Sequence, residues 1–183
     1  MSRLSGLAAG LSALGLLFAA SAASASPVVN VTIGADLAKK TPQFGTRDVE
    51  QIRGWLKEAT ERALARKGAT SIERVDLVLE NAAPNRPTFE QMRRTPGLSF
   101  HSIGLGGAKI TGTVTGADGV VKPINYQWYE NDLRQEHAAS TWSDAERAFY
   151  LLADRIAKDK PADRLGPGAP TDGLFGDYNR RFF

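Results

Sequence analysis

The sequence predicts an α+β domain, in which a four-stranded mixed sheet carries two helices packed on one face. The predicted order is strand, helix, strand, strand, strand, helix. Residues 104–130 alternate apolar and polar residues on both sides of an Asp-Gly turn, as a β-hairpin does. Two long stretches repeat apolar residues at three- and four-residue spacing, as amphipathic helices do. Two such helices need one apolar sheet face to pack against, and four strands supply it.

The register of the hairpin follows from its turn. A three-residue loop at 117–119, with Gly119 in the left-handed region, pairs Gly116 with Val120. A shift by one residue would place the two apolar sets on opposite faces of the sheet. The predicted partners match in polarity: Ile110 with Tyr126, Gly112 with Ile124, and Thr111 with Asn125.

Three elements precede the hairpin. Residues 29–33 alternate and predict the first strand, and residues 35–45 are expected to form a polar connection. A helix follows, with Thr46 as its N-cap and Gly68 as its C-terminal stop. Residues 72–82 predict the second strand.

The longest irregular stretch covers residues 83–104. Within it, Thr88 is expected to cap a short helix that ends near Arg94, and residues 98–103 are expected to run extended. Long irregular segments in small domains often carry function. This stretch is therefore the first candidate for a binding surface.

The C-terminal part of the chain contains a linker, a helix and a tail. Residues 131–140 form a charged linker, and a capping box from Ser143 to Glu146 is predicted to start the last helix. From Pro161 onward, seven of 23 residues are Pro or Gly. That composition predicts a tail at 161–183.

The first 25 residues have the layout of a secretory signal peptide. A basic start at Arg3 precedes a Leu/Ala-rich stretch and a small-residue cleavage site that ends at Ala25. An uncleaved membrane anchor is the alternative, but the apolar run is short for a span of about 20 residues. Cleavage would leave a single α+β domain at 26–160 and the tail, with no later transmembrane span. The expected location is periplasmic or secreted.

Charge and cysteine content narrow the class of protein. The formal net charge is +3, and removal of Arg3 with the signal peptide leaves +2. The Lys and Arg residues are scattered, which argues against a nucleic-acid partner. The chain has no cysteine, so an exported form must depend on its core rather than on disulfides.

The sequence contains little that suggests catalysis. Neither His101 nor His137 has a metal-type neighbour at the i+3 or i+4 position, so no metal or cofactor is predicted. One enzymatic alternative is a hydrolase that uses His101 with a nearby serine or carboxylate. No nucleophile-elbow motif supports that alternative.

Three places could instead bind a partner: the irregular stretch, the polar face of the sheet and the carboxy terminus. For the sheet face, plain solvated surface is the simpler interpretation. An apolar carboxy terminus suits domains that capture chain ends by strand addition, but it is also typical of an end that folds back on the core. The candidate residues are Arg86, Phe89, Arg93, Arg94 and His101; Thr111, Thr113, Asn125, Gln127 and Tyr129; and Phe182 and Phe183.

The phrase GGAKITGTVTGADGVVKPINYQW, within the layout that surrounds it, resembles several families of small bacterial envelope proteins of unassigned function. The likeness covers roughly residues 28–158 and consists of layout rather than a diagnostic motif. It implies an accessory or binding role and offers no catalytic residue to transfer. The expectation is an exported, non-enzymatic binding protein whose partner is an envelope protein or a cell-wall component, with its oligomeric state open.

Overall fold

The computed structural model describes residues 26–132 and 140–162. The predicted signal peptide, His137, and Phe182 with Phe183 lie outside the described residues. Within these two described ranges, eight elements occur in this order: β1 (Val28–Ile33), α1 (Ala35–Phe44), α2 (Thr46–Lys67), β2 (Ile72–Ala83), α3 (Phe89–Arg94), β3 (Gly107–Gly116), β4 (Val121–Tyr129) and α4 (Ser143–Ala157).

The four strands form one mixed sheet in the order β1-β2-β3-β4. β1 runs parallel to β2, while β2–β3 and β3–β4 are antiparallel. A parallel pair needs a crossover connection, which α1 and α2 provide. The predicted α+β class, with a mixed sheet and helices on one face, is confirmed.

The predicted hairpin register is also confirmed. Ile110 lies opposite Tyr126, with the neighbouring pairs as expected. The backbone N–H of Gly116 donates to the carbonyl of Val120 at 2.9 Å, and Gly119 has a φ of 78°. The turn therefore sets which face of both strands is apolar.

The core lies between one face of the sheet and the stripes of α2 and α4. Residues from the sheet and from both helices are fully or almost fully buried: Val75, Leu77 and Leu79 of β2; Ile110 and Tyr126 of the hairpin; Ile52 and Leu56 of α2; and Phe149 and Leu152 of α4. Each set follows the period of its own element, two for strands and 3.6 for helices. Among the described residues, no helix is long and apolar enough to cross a bilayer.

The expected polar connection at 35–45 is wrong, because that stretch forms α1. Leu37 and Phe44, seven residues apart, point to the same side of the helix and are buried. The Phe44 ring meets Trp142 edge-on at 5.5 Å between centroids. The sequence signal was weak because Pro42 lies inside the helix and no side chain caps its start.

Two predicted helix starts are displaced by one residue. Gly45, not Thr46, is the N-cap of α2, and Trp142 is the N-cap of α4. The capping box predicted from Ser143 to Glu146 does not form, since Ser143 already belongs to the helix. The predicted Thr88 cap of α3 is confirmed, and Gly68 ends α2 in the left-handed conformation.

Candidate functional site

The stretch that connects β2 to β3, residues 84–106, is held in place by buried polar side chains. We call it the β2–β3 segment. In residues 26–132 and 140–162, seven polar or charged residues are buried, and four of the seven lie here: Asn85, Thr88, Gln91 and Thr95. Buried polar groups need hydrogen-bond partners. The contacts of these residues therefore show how the segment is fixed.

Asn85 and Asp144 tie this segment to the start of α4. The Asp144 backbone N–H donates to Asn85 Oδ1 at 2.9 Å, and Asn85 Nδ2 donates to Asp144 Oδ2 at 2.5 Å. The same carboxylate oxygen accepts the backbone N–H of Gly106 at 3.2 Å. The backbone of Asn85 also donates to the Thr141 carbonyl and accepts from Gly104, both at 2.8 Å. Both ends of the segment are thus attached to the same buried point.

A capping box fixes α3 within the segment. The Gln91 backbone N–H donates to Thr88 Oγ1 at 3.2 Å, and the Thr88 backbone N–H donates to Gln91 Oε1 at 2.9 Å. These two bonds satisfy donors that the start of a helix leaves free. The Thr95 N–H then donates to the Gln91 carbonyl at 2.9 Å and ends the helix.

The outer side of this fixed segment displays large apolar side chains. Phe89 is 73% exposed, Phe100 59% and Ile103 42%. The described residues include eight exposed large apolar side chains, so three of the eight belong to this one segment. Two exposed phenylalanines on a segment that is anchored by hydrogen bonds make this segment the candidate interaction surface.

Basic residues lie beside these apolar side chains. Glu90 accepts from Arg93 Nη2 at 2.7 Å and also pairs with Arg94 Nε. The two guanidinium groups, Arg93 first, lower the pKa of the Glu90 carboxyl from 4.5 to about 2. Arg86 donates to the Phe100 carbonyl. With three arginines and one glutamate, the segment has a formal charge of +2.

A cavity of about 280 Å³ lies between α1 and α3. Its lining contains two cationic side chains together with amide, hydroxyl and apolar groups: Lys39, Pro42, Gln43, Gln91, Arg94, Thr95 and Leu98. Lys39 pairs with the exposed Asp36 at 3.3 Å. The cavity therefore combines two cationic groups with an apolar part formed by Pro42 and Leu98.

His101 lies in the β2–β3 segment without a catalytic partner. Its backbone N–H donates to Ser99 Oγ at 3.2 Å, and Ser102 Oγ accepts the Ser99 N–H at 3.2 Å. Within the described part of the chain, the exposed imidazole forms no hydrogen bond or ion pair. The nucleophile–base contact of a hydrolase is therefore not made by these residues.

The described residues contain no group of three or more His, Cys, Asp or Glu side chains placed to hold a metal ion.

Several side chains on the polar face of the sheet form hydrogen bonds with one another. Thr111 Oγ1 donates to Glu80 Oε1 at 2.9 Å, and Asp76 accepts from Asn30 at 2.8 Å and from Arg74 at 2.7 Å. The hydrogen bond from Arg74, followed by that from Asn30, lowers the pKa of Asp76.

Four of the predicted residues on this face are partly or fully exposed, namely Thr111, Thr113, Asn125 and Gln127. They offer hydroxyl and amide groups and no exposed aromatic ring.

Tyr129 was expected to be exposed on the same face, and that expectation is wrong. It is 2% exposed and lies opposite Gly107, where a Cβ atom would come within 2.6 Å of the Tyr129 ring. The alternation pattern predicted the correct side of the sheet, but a glycine partner lets the ring lie flat against the strand. Burial raises the pKa of the Tyr129 hydroxyl, and nearby Asn81 opposes the shift without forming a hydrogen bond of normal geometry.

Of the three exposed apolar side chains of the β2–β3 segment, the sequence prediction included Phe89 but not Phe100 or Ile103. Of the residues that hold the segment, it included only Thr88. The Thr88-to-Gln91 spacing is a readable capping-box signal. Asn85 and Asp144 are 59 positions apart, and no local pattern connects them. No protein-family model matches the chain, and no match was found among curated proteins. A functional conclusion therefore has to come from the site itself.

Proposed function

We propose that this protein is an exported, non-catalytic binding protein of the bacterial envelope, and that it contacts its partner with the outer side of the β2–β3 segment. One observation carries the proposal. Phe89 and Phe100 are largely exposed on a segment whose inner residues Asn85 and Gln91 are buried and hydrogen-bonded.

The contrast between the two sides of the segment supports a binding role. Exposed apolar side chains weaken solubility, and a mobile loop could simply fold them inward. Here the buried hydrogen bonds keep the backbone in one arrangement. A partner would therefore meet an already ordered surface and would not have to supply the ordering entropy on binding.

Export is supported by the N-terminal layout of a basic start, a Leu/Ala-rich stretch and a small-residue cleavage site. Among the described residues, the hydrophobic core begins at Val29. Cleavage after Ala25 would leave all of these core residues in place. A chain that begins at Ser26 keeps the whole described domain, and the proposed compartment is the periplasm or the exterior.

The test is capture from a bacterial envelope fraction by the chain from Ser26 to Phe183, with a photo-crosslinker attached in the β2–β3 segment. We expect the double variant Phe89→Ser and Phe100→Ser to lose its crosslinked partner. The matched control is Tyr150→Ser with Leu151→Ser, because those two side chains are also exposed but lie on α4. Equal capture by both double variants would contradict the proposal.

Export has its own test. The full chain, produced in a Gram-negative host, should be recovered from the periplasm with Ser26 as its first residue. Recovery of the uncleaved chain from the cytoplasm would contradict that part of the proposal.

A further inference from the structure

We infer that the partner of this surface is an anionic lipid membrane, with Phe89 and Phe100 entering the boundary between head groups and acyl chains and with the neighbouring cations contacting lipid phosphates. This inference rests on the proposed function, because it assigns a partner class to the same surface. Three features of the described residues support it.

The first feature is the way in which the apolar side chains are presented. A ring that is 73% exposed, as Phe89 is, projects from its surroundings, and Phe100 and Ile103 are also well exposed. Peptide-binding sites usually offer a concave apolar groove. The cavity between α1 and α3 is lined by Lys39 and Arg94 among other groups, and none of the three exposed apolar side chains lines it. Projecting rings suit insertion into a soft apolar layer.

The second feature is the charge around the rings. Arg93 follows Phe89 by four positions and so lies on the same side of α3. The β2–β3 segment has a formal charge of +2, and its cations attract the negative surface of an anionic membrane. Arg side chains can also bury their stems along apolar surface while the charged heads remain in the head-group layer.

The third feature is the cavity of about 280 Å³ between α1 and α3. Among the described residues, each of its two cations has one acidic partner, Asp36 for Lys39 and Glu90 for Arg94. Lipid phosphates could displace these ion pairs because pairs near the surface are weak in water. The cavity therefore offers two cationic groups to a head-group phosphate.

Vesicle co-sedimentation tests the inference directly, with the chain from Ser26 to Phe183 at low and at physiological salt. The probes are vesicles of phosphatidylglycerol with phosphatidylethanolamine, and vesicles of phosphatidylcholine alone. We expect binding to the anionic vesicles that weakens as salt rises, and at least about tenfold weaker binding to the neutral ones.

Four variants locate the contact. Phe89→Ser with Phe100→Ser, and separately Arg93→Gln with Arg94→Gln, should each weaken anionic-vesicle binding at least about tenfold. Glu90→Gln should strengthen it, because the substitution removes one negative charge and frees both arginines from their ion pairs. Tyr150→Ser with Leu151→Ser is the control and should bind like the unchanged chain. Circular dichroism confirms that each variant is folded.

Absence of binding to anionic vesicles by the folded, unchanged chain would overturn the inference, and so would binding that Glu90→Gln weakens. If the crosslinking test still captured a protein through Phe89 and Phe100, the partner would be a protein and the proposed function would stand. If the control variant lost vesicle binding as fully as the phenylalanine variant, the contact would lie on α4 and the inference would fail.

Discussion

Asn85 and Asp144 are joined by two reciprocal hydrogen bonds. The Asp144 backbone N–H donates to the Asn85 side-chain oxygen at 2.9 Å, and the Asn85 amide donates to the Asp144 carboxylate at 2.5 Å. Both residues are buried. The pair joins the β2–β3 segment to the N-terminus of α4, so the shape of the proposed binding surface depends on residues behind it.

Replacement of Asn85 by Ala should destabilise the protein by about 2–4 kcal/mol, because a buried carboxylate and a buried backbone N–H would each lose a partner. The measurement is urea unfolding followed by circular dichroism. Asn125→Ala, at an exposed asparagine of β4, is the matched control and should change the free energy of unfolding by no more than about 0.5 kcal/mol. Equal effects at the two positions would show that the Asn85 contacts do not contribute to stability.

Two glycine-to-alanine substitutions should have opposite effects. Gly112 has a φ of +149°, and a Cβ there would approach the Asp76 carbonyl oxygen to 2.1 Å, so Gly112→Ala should cost at least about 3 kcal/mol. At Gly54, on the exposed side of α2, a Cβ would meet nothing within 4 Å. Gly54→Ala should therefore stabilise the protein by up to about 1 kcal/mol.

The readout for both substitutions is the thermal unfolding midpoint, with the unchanged chain measured in parallel. A Gly112→Ala variant as stable as the unchanged chain would mean that β2 and β3 do not approach as closely as the structure has them. A destabilised Gly54→Ala variant would contradict the open surroundings of that position.

The Glu90 carboxyl should give α3 a pH-dependent contribution to stability. Its folded-state pKa of about 2 lies below its ordinary value of 4.5, owing to Arg93 and then Arg94. The unfolded chain therefore binds the proton first, and the contribution is complete above pH 4.5 and lost as the pH falls toward 2. This contribution to the free energy of unfolding should be small, because solvent screens the interaction of Glu90 with the exposed arginines.

Carbon-13 NMR titration of the Glu90 carboxyl measures this pKa directly. Glu90→Gln is the matched variant for unfolding experiments, and its stability should fall less steeply than that of the unchanged chain between pH 4.5 and 2. A Glu90 midpoint near 4.5 would show that the arginine contacts are not formed in solution.

Tyr129 should tolerate loss of its hydroxyl but not of its ring. Tyr129→Phe should change the free energy of unfolding by no more than about 1 kcal/mol, because the buried hydroxyl has no hydrogen bond of normal geometry. Tyr129→Ala should cost about 3–5 kcal/mol, because it leaves a cavity beside Gly107.

Urea unfolding of the two variants separates these effects. A large loss of unfolding free energy in Tyr129→Phe would show that the Tyr129 hydroxyl forms a stabilising hydrogen bond. Asn81 is the side chain that acts on this hydroxyl. In an alkaline titration monitored by ultraviolet absorbance, Tyr129 should ionise at a higher pH than a tyrosine ordinarily does, since burial raises the pKa of Tyr129.

Much of the fold could be predicted because its signals are local. The alternation of the hairpin and its Asp118-Gly119 turn were enough to pair Ile110 with Tyr126 correctly. The stripes of α2 and α4 were equally plain. The whole of α1 was missed, because its helical signal consists of few apolar residues and an interior proline.

The candidate site was predictable only in part, for a related reason. An unusual length without a periodic pattern marked the β2–β3 segment as a candidate surface, and the predicted residue Phe89 is exposed, as is Phe100, which was not predicted. The burial of Tyr129 depends on Gly107 in the neighbouring strand. The alternation pattern within β4 alone does not reveal that partner. The face of a strand can be read from alternation, whereas burial depends on what lies beside it.

From its own residues, then, the chain dictated a mixed sheet with two helices on its apolar side, since periods of two and 3.6 are properties of short stretches. Only the folded chain brought Asn85 to Asp144 across 59 positions and made a long loop into a fixed surface. That step required hydrogen bonds between distant parts of the chain. Such bonds form only where packing brings those parts together, and they leave no periodic trace in the order of the amino acids.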